Sequence, residues 1–148
     1  MPPPTRNVTV DCPRDVDGLS GPTVTRAISA ILNGEDAGDA EFSVAFLSGQ
    51  RMRALNRRLF GHDRSTDVIA FGFFHTHVLV GDIYICPSVA RRSAVELKVP
   101  EREELLRLVV HGTLHSLGYD HPAGRNRCKS EMWRLQEVYL RQIIGVGK

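Results

Sequence analysis

Apolar residues in the first half of the chain alternate or recur in ways that predict two short strands and two amphipathic helices. The strands lie at residues 7–11 and 42–47, where apolar and β-branched side chains are concentrated. One helix starts at Pro22 and ends at Gly34, and Ser48 is placed to cap the other. The apolar positions of the two helices are Ile28, Ile31, Leu32, Met52, Leu55 and Leu59. These elements predict a sheet with helices packed on it.

The second half of the chain continues in the same way. A strand is predicted at residues 66–71, and Gly72 separates it from a segment rich in aromatic residues and histidine. A further strand follows at residues 81–86, and Pro87 opens a helix that continues to residue 100. After the histidine-bearing segment described next, a last helix is predicted at residues 129–144.

Three histidines near the C-terminus carry the clearest chemical signal. His111, His115 and His121 have the spacing H-x3-H-x5-H. On a helix the first two leave the same face one turn apart, so both rings can reach one metal ion at about 2.0–2.1 Å. Gly118 can end this helix in a left-handed conformation, which lets the chain turn back with His121 as a third ligand. Three imidazoles leave a tetrahedral Zn2+ with one open position, as in catalytic zinc sites.

A purely structural role for these histidines is the alternative interpretation. The segment that carries them is otherwise rich in leucine and valine, and buried imidazoles need hydrogen-bond or metal partners. A metal site is therefore favoured, although imidazole also binds Ni2+ and Cu2+. The whole pattern predicts one α+β domain over residues 1–148, with a small mixed sheet, helices packed on it and a central metal-binding helix.

Length, charge and cysteine content restrict the class of protein. A chain of 148 residues is long enough for one domain with its own core. The net charge of +2 permits an acidic partner such as RNA without requiring one. No signal peptide or membrane-spanning run is visible, so we expect no membrane partner. Cys12, Cys86 and Cys128 lack C-x-x-C pairing and are typical of reduced thiols, which predicts a cytoplasmic protein.

The histidine segment resembles the signature of the YbeY family, small bacterial metal-dependent endoribonucleases of ribosomal RNA maturation. The family pattern H-G-x-L-H-x-x-G-Y-D-H matches residues 111–121 at every defined position. Two weaker family blocks also match in order. They are Leu55-Asn56 followed by Thr66-Asp67-Val68-Ile69 and Phe71, and Gly81-Asp82-Ile83 with Ile85. The resemblance covers most of the chain from Phe42 to His121.

This resemblance implies both a fold and a function. The implied fold is zincin-like, with a four-stranded mixed sheet and about five helices. The implied cofactor is one zinc ion per chain, bound by His111, His115 and His121. The implied activity is cleavage of single-stranded ribosomal RNA in small-subunit 3′ end maturation and ribosome quality control. The expected partners are then ribosomal RNA and the small ribosomal subunit, and no DNA partner is expected.

One position departs from the family pattern. The family carries an arginine, implicated in catalysis, in a tyrosine-arginine-glycine-lysine-aspartate run. Aligned through Gly61 and Asp63, this chain has Phe60 at the arginine position and His62 at the lysine position. A phenyl ring cannot hold a phosphate or stabilise charge that develops on it. The neighbouring guanidinium groups that could replace the missing one are Arg57, Arg58 and Arg64.

Other polar residues around the histidines suggest how the site works. Gly112 follows His111, whereas zinc proteases with an H-E-x-x-H motif use a glutamate there as general base, so peptidase chemistry is disfavoured. Asp120 could orient an imidazole or assist proton transfer, or it could simply cap a turn. Asp67 and Asp82 are more typical of strand-edge residues, or of residues that support a metal ligand, than of groups that take part in the reaction directly. The predicted catalytic residues are Asp120, Arg58 and Arg64.

Basic residues form the predicted RNA-binding surface. They occur before the histidine segment and directly after it, and they are Arg51, Arg57, Arg58, Arg64, Arg125 and Arg127. A solvated helix face explains such charges equally well. Phe73 and Phe74 could stack on bases or pack at the rim of the core.

Three functional hypotheses follow. The favoured one is a zinc-dependent endoribonuclease that hydrolyses phosphodiester bonds. The second is a ribosome-associated assembly factor with a mainly structural zinc, which the phenylalanine at position 60 would favour. The third, a small zinc peptidase, is disfavoured by the glycine at position 112.

Overall fold

The computed structural model describes residues 2–11, 18–119 and 131–146. Within these ranges the chain forms four strands and five helices. They are, in chain order, β1 (Arg6–Asp11), α1 (Gly21–Gly34), β2 (Ala40–Phe46), α2 (Gly49–Phe60), β3 (Val68–His75), β4 (Val78–Ile85), α3 (Pro87–Leu97), α4 (Glu101–Ser116) and α5 (Glu131–Val146). The predicted α+β class with a small mixed sheet is confirmed. None of the described helices is long and apolar enough to cross a membrane.

The sheet has the strand order β1-β2-β4-β3. Strand β1 pairs in parallel with β2, and β2 pairs in parallel with β4. Strand β3 pairs antiparallel with β4 and forms one edge of the sheet. Helix α1 connects the parallel strands β1 and β2, as such a crossover requires. The mixed topology places the edge strand β3 directly against α4.

Strands β3 and β4 are longer than the sequence pattern predicted. The interruption predicted at Gly72 is wrong, because β3 continues to His75 and Gly72 pairs with Gly81 inside the ladder. The aromatic residues beyond it therefore belong to the strand, and Phe73 and Phe74 are 54% and 70% exposed on it. Side-chain alternation is obscured in this part of β3 because four consecutive residues at its end are exposed.

Serine side chains cap two of the helices, and the cap at Ser48 was predicted. Ser20 and Ser48 accept hydrogen bonds from the backbone N–H groups of Thr23 and Arg51, which satisfies donors that the first helical turn leaves over. Helix α3 ends three residues earlier than predicted, because Lys98 adopts a left-handed conformation with φ of 58°. The predicted start of the last helix at residue 129, and Cys12 and Cys128, lie outside the described residues.

Helix α4 lies at the centre of the fold, as predicted. It packs against β3, β4, α1, α3 and α5. Its fully buried apolar side chains divide between two clusters. Leu105, Leu106 and Val109 lie in the main core, and Val110 and Leu114 lie in a smaller cluster with residues of α1 and α5. Since neighbouring elements surround the helix, the residues that it carries have well-defined positions relative to the sheet.

Candidate metal centre

His111 and His115 lie one turn apart on α4, as their spacing predicted. Their ring centroids are 6.5 Å apart and the ring planes differ by 3°, so the two imidazoles lie side by side. Both residues are half-buried at the end of the helix that faces β3 and α2. This arrangement presents two nitrogen ligands to one common space.

That space is a cavity of about 360 Å³ between α4, the end of α2 and the first part of β3. Its lining combines the two imidazoles with polar, basic and apolar residues. The lining residues are Asn56, Phe60, His62, Arg64, Thr66, Val68, Ile69, Ala70, His111 and His115. A cavity of this composition can accept a ligand with both a charged and an apolar part.

Gln136 on α5 holds the ring of His111. Its Oε1 lies 2.9 Å from His111 Nδ1, and the residue is only 2% exposed. A carbonyl oxygen can only accept, so Nδ1–H is the donor and Nε2 carries the lone pair that a metal requires. Sequence reasoning missed Gln136, although a polar residue among the buried Met132, Tyr139 and Leu140 was a usable signal.

A group of charged residues joins α4 to α5 beside this hydrogen bond. Arg107 contacts Glu104 at 2.5 Å and Glu137 at 3.0 Å, and it lies 3.5 Å from Glu103. Burial raises the pKa of Glu104, against the opposing effect of its hydrogen bond from Arg107. Burial alone would lower the pKa of Arg107, but hydrogen bonds to Glu137 and Glu104 outweigh it and raise that pKa. The side chain of Arg107 is therefore protonated and held between α4 and α5.

The end of α4 has the geometry predicted from Gly118. Its φ is 104°, and the N–H of Tyr119 donates to the carbonyl oxygen of Leu114 at 3.1 Å. The Tyr119 hydroxyl then donates to Glu35 Oε1 at 2.6 Å, and Tyr139 donates to the other carboxylate oxygen at the same distance. The hydrogen bond to Glu35 raises the pKa of Tyr119 to about 12. The chain therefore leaves α4 from a fixed point.

Four residues predicted beside the two histidines belong to the segment that follows α4 in sequence. His121, Asp120, Arg125 and Arg127 lie outside the described residues. Within residues 2–11, 18–119 and 131–146, no group of three or more histidine, cysteine, aspartate or glutamate side chains is arranged to hold a metal. The donors present still suit a metal, because two parallel imidazoles share a cavity and one of them has its other ring nitrogen hydrogen-bonded.

Gly112 faces strand β4. A Cβ on this residue would lie 2.8 Å from Cγ2 of Ile83, so the helix approaches the sheet closely at this point. A glutamate here would have to displace Ile83, which is buried in the core. The structure thus gives a packing reason for the glycine at this position.

The predicted arginines do not all lie at the cavity. Arg64 lines it, and the carbonyl oxygen of Arg64 accepts a hydrogen bond at 2.9 Å from the amide of the buried Asn56. Arg51, Arg57 and Arg58 are exposed on α2 and are not among the lining residues. Asn56 therefore fixes the backbone of the only one of these four arginines that borders the cavity.

The neighbouring pair Arg53 and Asp63 shapes the loop between α2 and β3. The guanidinium of Arg53 contacts both carboxylate oxygens of Asp63, at 2.8 and 3.0 Å. This hydrogen bonding lowers the pKa of Asp63. Both side chains are exposed, so the pair contributes little stability but restricts the loop that leads to the cavity.

Phe60, at the position of the family arginine, forms an apolar part of the cavity wall. Its ring lies 6.1 Å from that of Phe71 with 20° between the planes, and the residue is 50% exposed.

The two aspartates considered in the sequence, Asp67 and Asp82, have local hydrogen-bond partners. Asp67 accepts from the N–H of Val68 at 2.8 Å, and Asp82 accepts from the Ser43 hydroxyl at 2.5 Å. Neither aspartate lines the cavity.

Comparisons with known proteins agree with these features. The family model described as Endoribonuclease YbeY matches residues 18–144. The Endoribonuclease YbeY of Thermotoga petrophila is 34% identical over 111 residues, which cover 75% of this chain and 73% of that protein. The Endoribonuclease YbeY of Chlorobium phaeovibrioides is 33% identical over 122 residues, covering 82% and 80%.

The fold also has a counterpart among solved structures. A solution structure of a Thermotoga maritima protein matches with a TM-score of 0.65 and 26% identity, and it covers 96% of this chain and 91% of that one. Sequence and fold thus point in the same direction. The chain belongs to the Endoribonuclease YbeY family.

Proposed function

We infer that this protein is a metal-dependent endoribonuclease that hydrolyses phosphodiester bonds inside RNA. Membership of the Endoribonuclease YbeY family supports the reaction class. The observation that carries the assignment to a site is the pair His111 and His115, whose parallel rings line one cavity together with Arg64. This shared cavity supports the proposal that the two histidines bind a metal and that Arg64 binds a phosphate beside it.

We propose that the metal is Zn2+, one ion per chain, held by His111, His115 and His121. The hydrogen bond of His111 Nδ1 to Gln136 supports this choice, because it leaves the other ring nitrogen as the ligand atom. When bound, a zinc ion lowers the pKa of a water molecule and polarises a phosphoryl oxygen. Asp120 is proposed to orient an imidazole or to assist proton transfer beside His121.

The described residues supply contacts to the RNA. Arg64 is placed to bind a phosphate, since its backbone is held by Asn56 and it borders the cavity with the histidines. The exposed ring of Phe60 offers a surface on which a base can stack. Arg51, Arg57 and Arg58 on α2, and Arg125 and Arg127 after the histidine segment, are proposed to contact the RNA backbone. Two arginines are proposed for catalysis. Arg64, in the loop after α2, borders the cavity and is the stronger candidate, whereas Arg58 on α2 does not line it.

The proposed substrate is single-stranded ribosomal RNA, at the 3′ end of the small-subunit RNA and in ribosome quality control. The small ribosomal subunit is the proposed partner, and the cytoplasm is the proposed location. The family resemblance supports these finer assignments, and the mildly basic chain is compatible with them. Binding through the arginines should weaken steeply as salt concentration rises.

The variant His115→Ala tests the metal and the reaction together. We expect it to lose zinc and RNA cleavage while its circular dichroism spectrum stays that of the wild type. His75→Ala is the matched control, because His75 is an exposed histidine at the far end of β3. Full cleavage by a His115→Ala protein that metal analysis shows to be metal-free would overturn the proposal.

A ribosome-assembly role with a structural zinc is the second candidate. Phe60 favours it, because no cation occupies the position of the family arginine. A wild-type protein that binds small subunits and rescues RNA processing, but cleaves no RNA with zinc present, would support this role. A peptidase is the least favoured candidate, since Gly112 faces Ile83 in the sheet. Peptide and RNA substrates assayed side by side would separate it.

A further inference from the structure

We propose that Gln136 is a positioning residue that fixes the tautomer and the ring orientation of His111. The inference rests on the proposed metal site only in assigning a purpose to this hydrogen bond. Its structural basis is a buried amide on α5 whose Oε1 lies 2.9 Å from Nδ1 of His111 on α4. A residue 25 positions along the chain thereby determines which imidazole nitrogen can bind a metal.

The orientation of the Gln136 amide follows from its second contact. Its Nε2 donates to Glu137 Oε2 at 3.1 Å, so the NH2 group faces the carboxylate and the carbonyl oxygen faces His111. A reversed amide would place its oxygen against a carboxylate oxygen, where two acceptors repel each other. The oxygen is thus fixed as the acceptor for Nδ1–H, and the lone pair of the neutral imidazole is on Nε2.

Arg107 holds Glu137 in place. It donates from Nε to Oε2 of Glu137 at 3.0 Å and from a terminal nitrogen to Oε1 at 3.2 Å. The same guanidinium contacts Glu104, which is buried on α4. A chain of hydrogen bonds thus runs from the core of α4 through Glu137 and Gln136 back to His111. The three middle members, Arg107, Glu137 and Gln136, each have at least two partners, which limits their rotation.

A glutamine suits this place better than a carboxylate. It accepts from His111 and donates to Glu137 at the same time, and it does so at every pH because it does not ionise. A glutamate would still accept from Nδ1–H, but it would face the carboxylate of Glu137 without a donor. Partners of this kind typically change metal affinity by about 10–100-fold when removed.

Three variants test the proposal. Gln136→Met keeps the length and removes the acceptor, whereas Gln136→Glu keeps the acceptor. Gln142→Met makes the same change at an exposed position of α5 and is the matched control. We expect Gln136→Met to weaken Zn2+ affinity, measured by competition with a chromophoric chelator, by about 10–100-fold. Gln136→Glu should recover most of that loss, and Gln142→Met should bind as the wild type does.

A second measurement needs neither metal nor RNA. Nitrogen-15 NMR of the metal-free wild type at a pH where His111 is neutral should show the Nδ1–H tautomer, and Gln136→Met should shift the population toward Nε2–H. An Nε2–H tautomer in the wild type would overturn the proposal even if the variants failed to fold. A folded Gln136→Met protein with unchanged zinc affinity and tautomer would also overturn it. The tautomer measurement stands apart from the proposed function, since loss of RNA cleavage or of zinc binding would not alter its outcome.

Discussion

Gly72 of β3 lies so close to Ser116 of α4 that a Cβ on the glycine would be 2.0 Å from the serine carbonyl oxygen. The same serine donates from its hydroxyl to the carbonyl oxygen of Phe71 at 3.1 Å. The end of α4 therefore rests directly on the backbone of the edge strand. The position of His115, one residue before Ser116, depends on this contact.

The first prediction concerns this contact. Gly72→Ala should lower the free energy of unfolding by about 1–3 kcal/mol, because the new methyl group must push α4 away from β3. Urea unfolding followed by circular dichroism measures the change. Gly38→Ala is the control, since a Cβ at that exposed loop position meets nothing within 4 Å. Equal effects of the two substitutions would show that the close approach of β3 and α4 does not affect the free energy of unfolding.

The second prediction concerns alkaline pH. Hydrogen bonding to Glu35 raises the pKa of Tyr119 to about 12, and burial with a hydrogen bond to the same carboxylate raises the pKa of Tyr139. Both exceed the value of about 10 for an unfolded tyrosine. Their contribution to stability is therefore complete below about pH 10 and is lost as pH rises through the folded values.

Glu35→Gln should remove most of this alkaline dependence. We expect tyrosinate absorbance to appear at lower pH than in the wild type, and the loss of stability above about pH 10 to become shallower. Glu41→Gln, at an exposed position of β2, is the control. An unchanged tyrosine titration in Glu35→Gln would contradict the assigned cause.

The third prediction concerns Phe60. Phe60→Arg puts a guanidinium at the wall of the histidine cavity, where a phosphate is expected. We expect kcat/KM for RNA cleavage to rise by about tenfold, a part of the ~10²–10³ that one well-placed donor can contribute. Leu59→Arg adds the same charge at a neighbouring exposed residue outside the cavity lining. Equal gains in both variants would indicate general attraction of RNA rather than a specific contact.

The fourth prediction separates the arginines. Arg64→Ala should reduce kcat/KM by about ten- to a hundredfold, because a charge-assisted contact at the cavity is lost. Arg58→Ala should change kcat/KM by less than about threefold at moderate salt, since an exposed arginine contributes mainly non-specific attraction. Steady-state kinetics on one RNA substrate decide the matter, and a larger effect of Arg58→Ala would reverse the assignment.

Local signals predicted much of the fold. Pro22 at the start of α1, Ser48 before α2, the glycine after α4 and the i, i+4 histidine pair each specify a conformation through neighbouring residues alone, and the structure confirms them. Strand β3 was harder, because Gly72 is typical of a strand end. The reason for the glycine is its contact with Ser116 at the end of α4, which lies more than 40 residues further along the chain.

The surroundings of the histidines could not be predicted in the same way. Gln136 meets His111 only after α5 has packed on α4, and no residue near His111 in sequence signals that contact. The position of Arg64 depends on Asn56, which binds its backbone across the end of α2. Long-range contacts of this kind depend on how the helices pack. The residue pattern within one helix or strand does not predict that packing.

The central position of α4 has a consequence for how the protein opens. Since this helix touches β3, β4 and three other helices, its backbone amides should exchange with solvent only when the whole domain unfolds. The two imidazoles are therefore carried by the part of the molecule that opens last. A metal bound there would oppose global unfolding rather than the fraying of one segment, so resistance to proteolysis should increase with metal concentration.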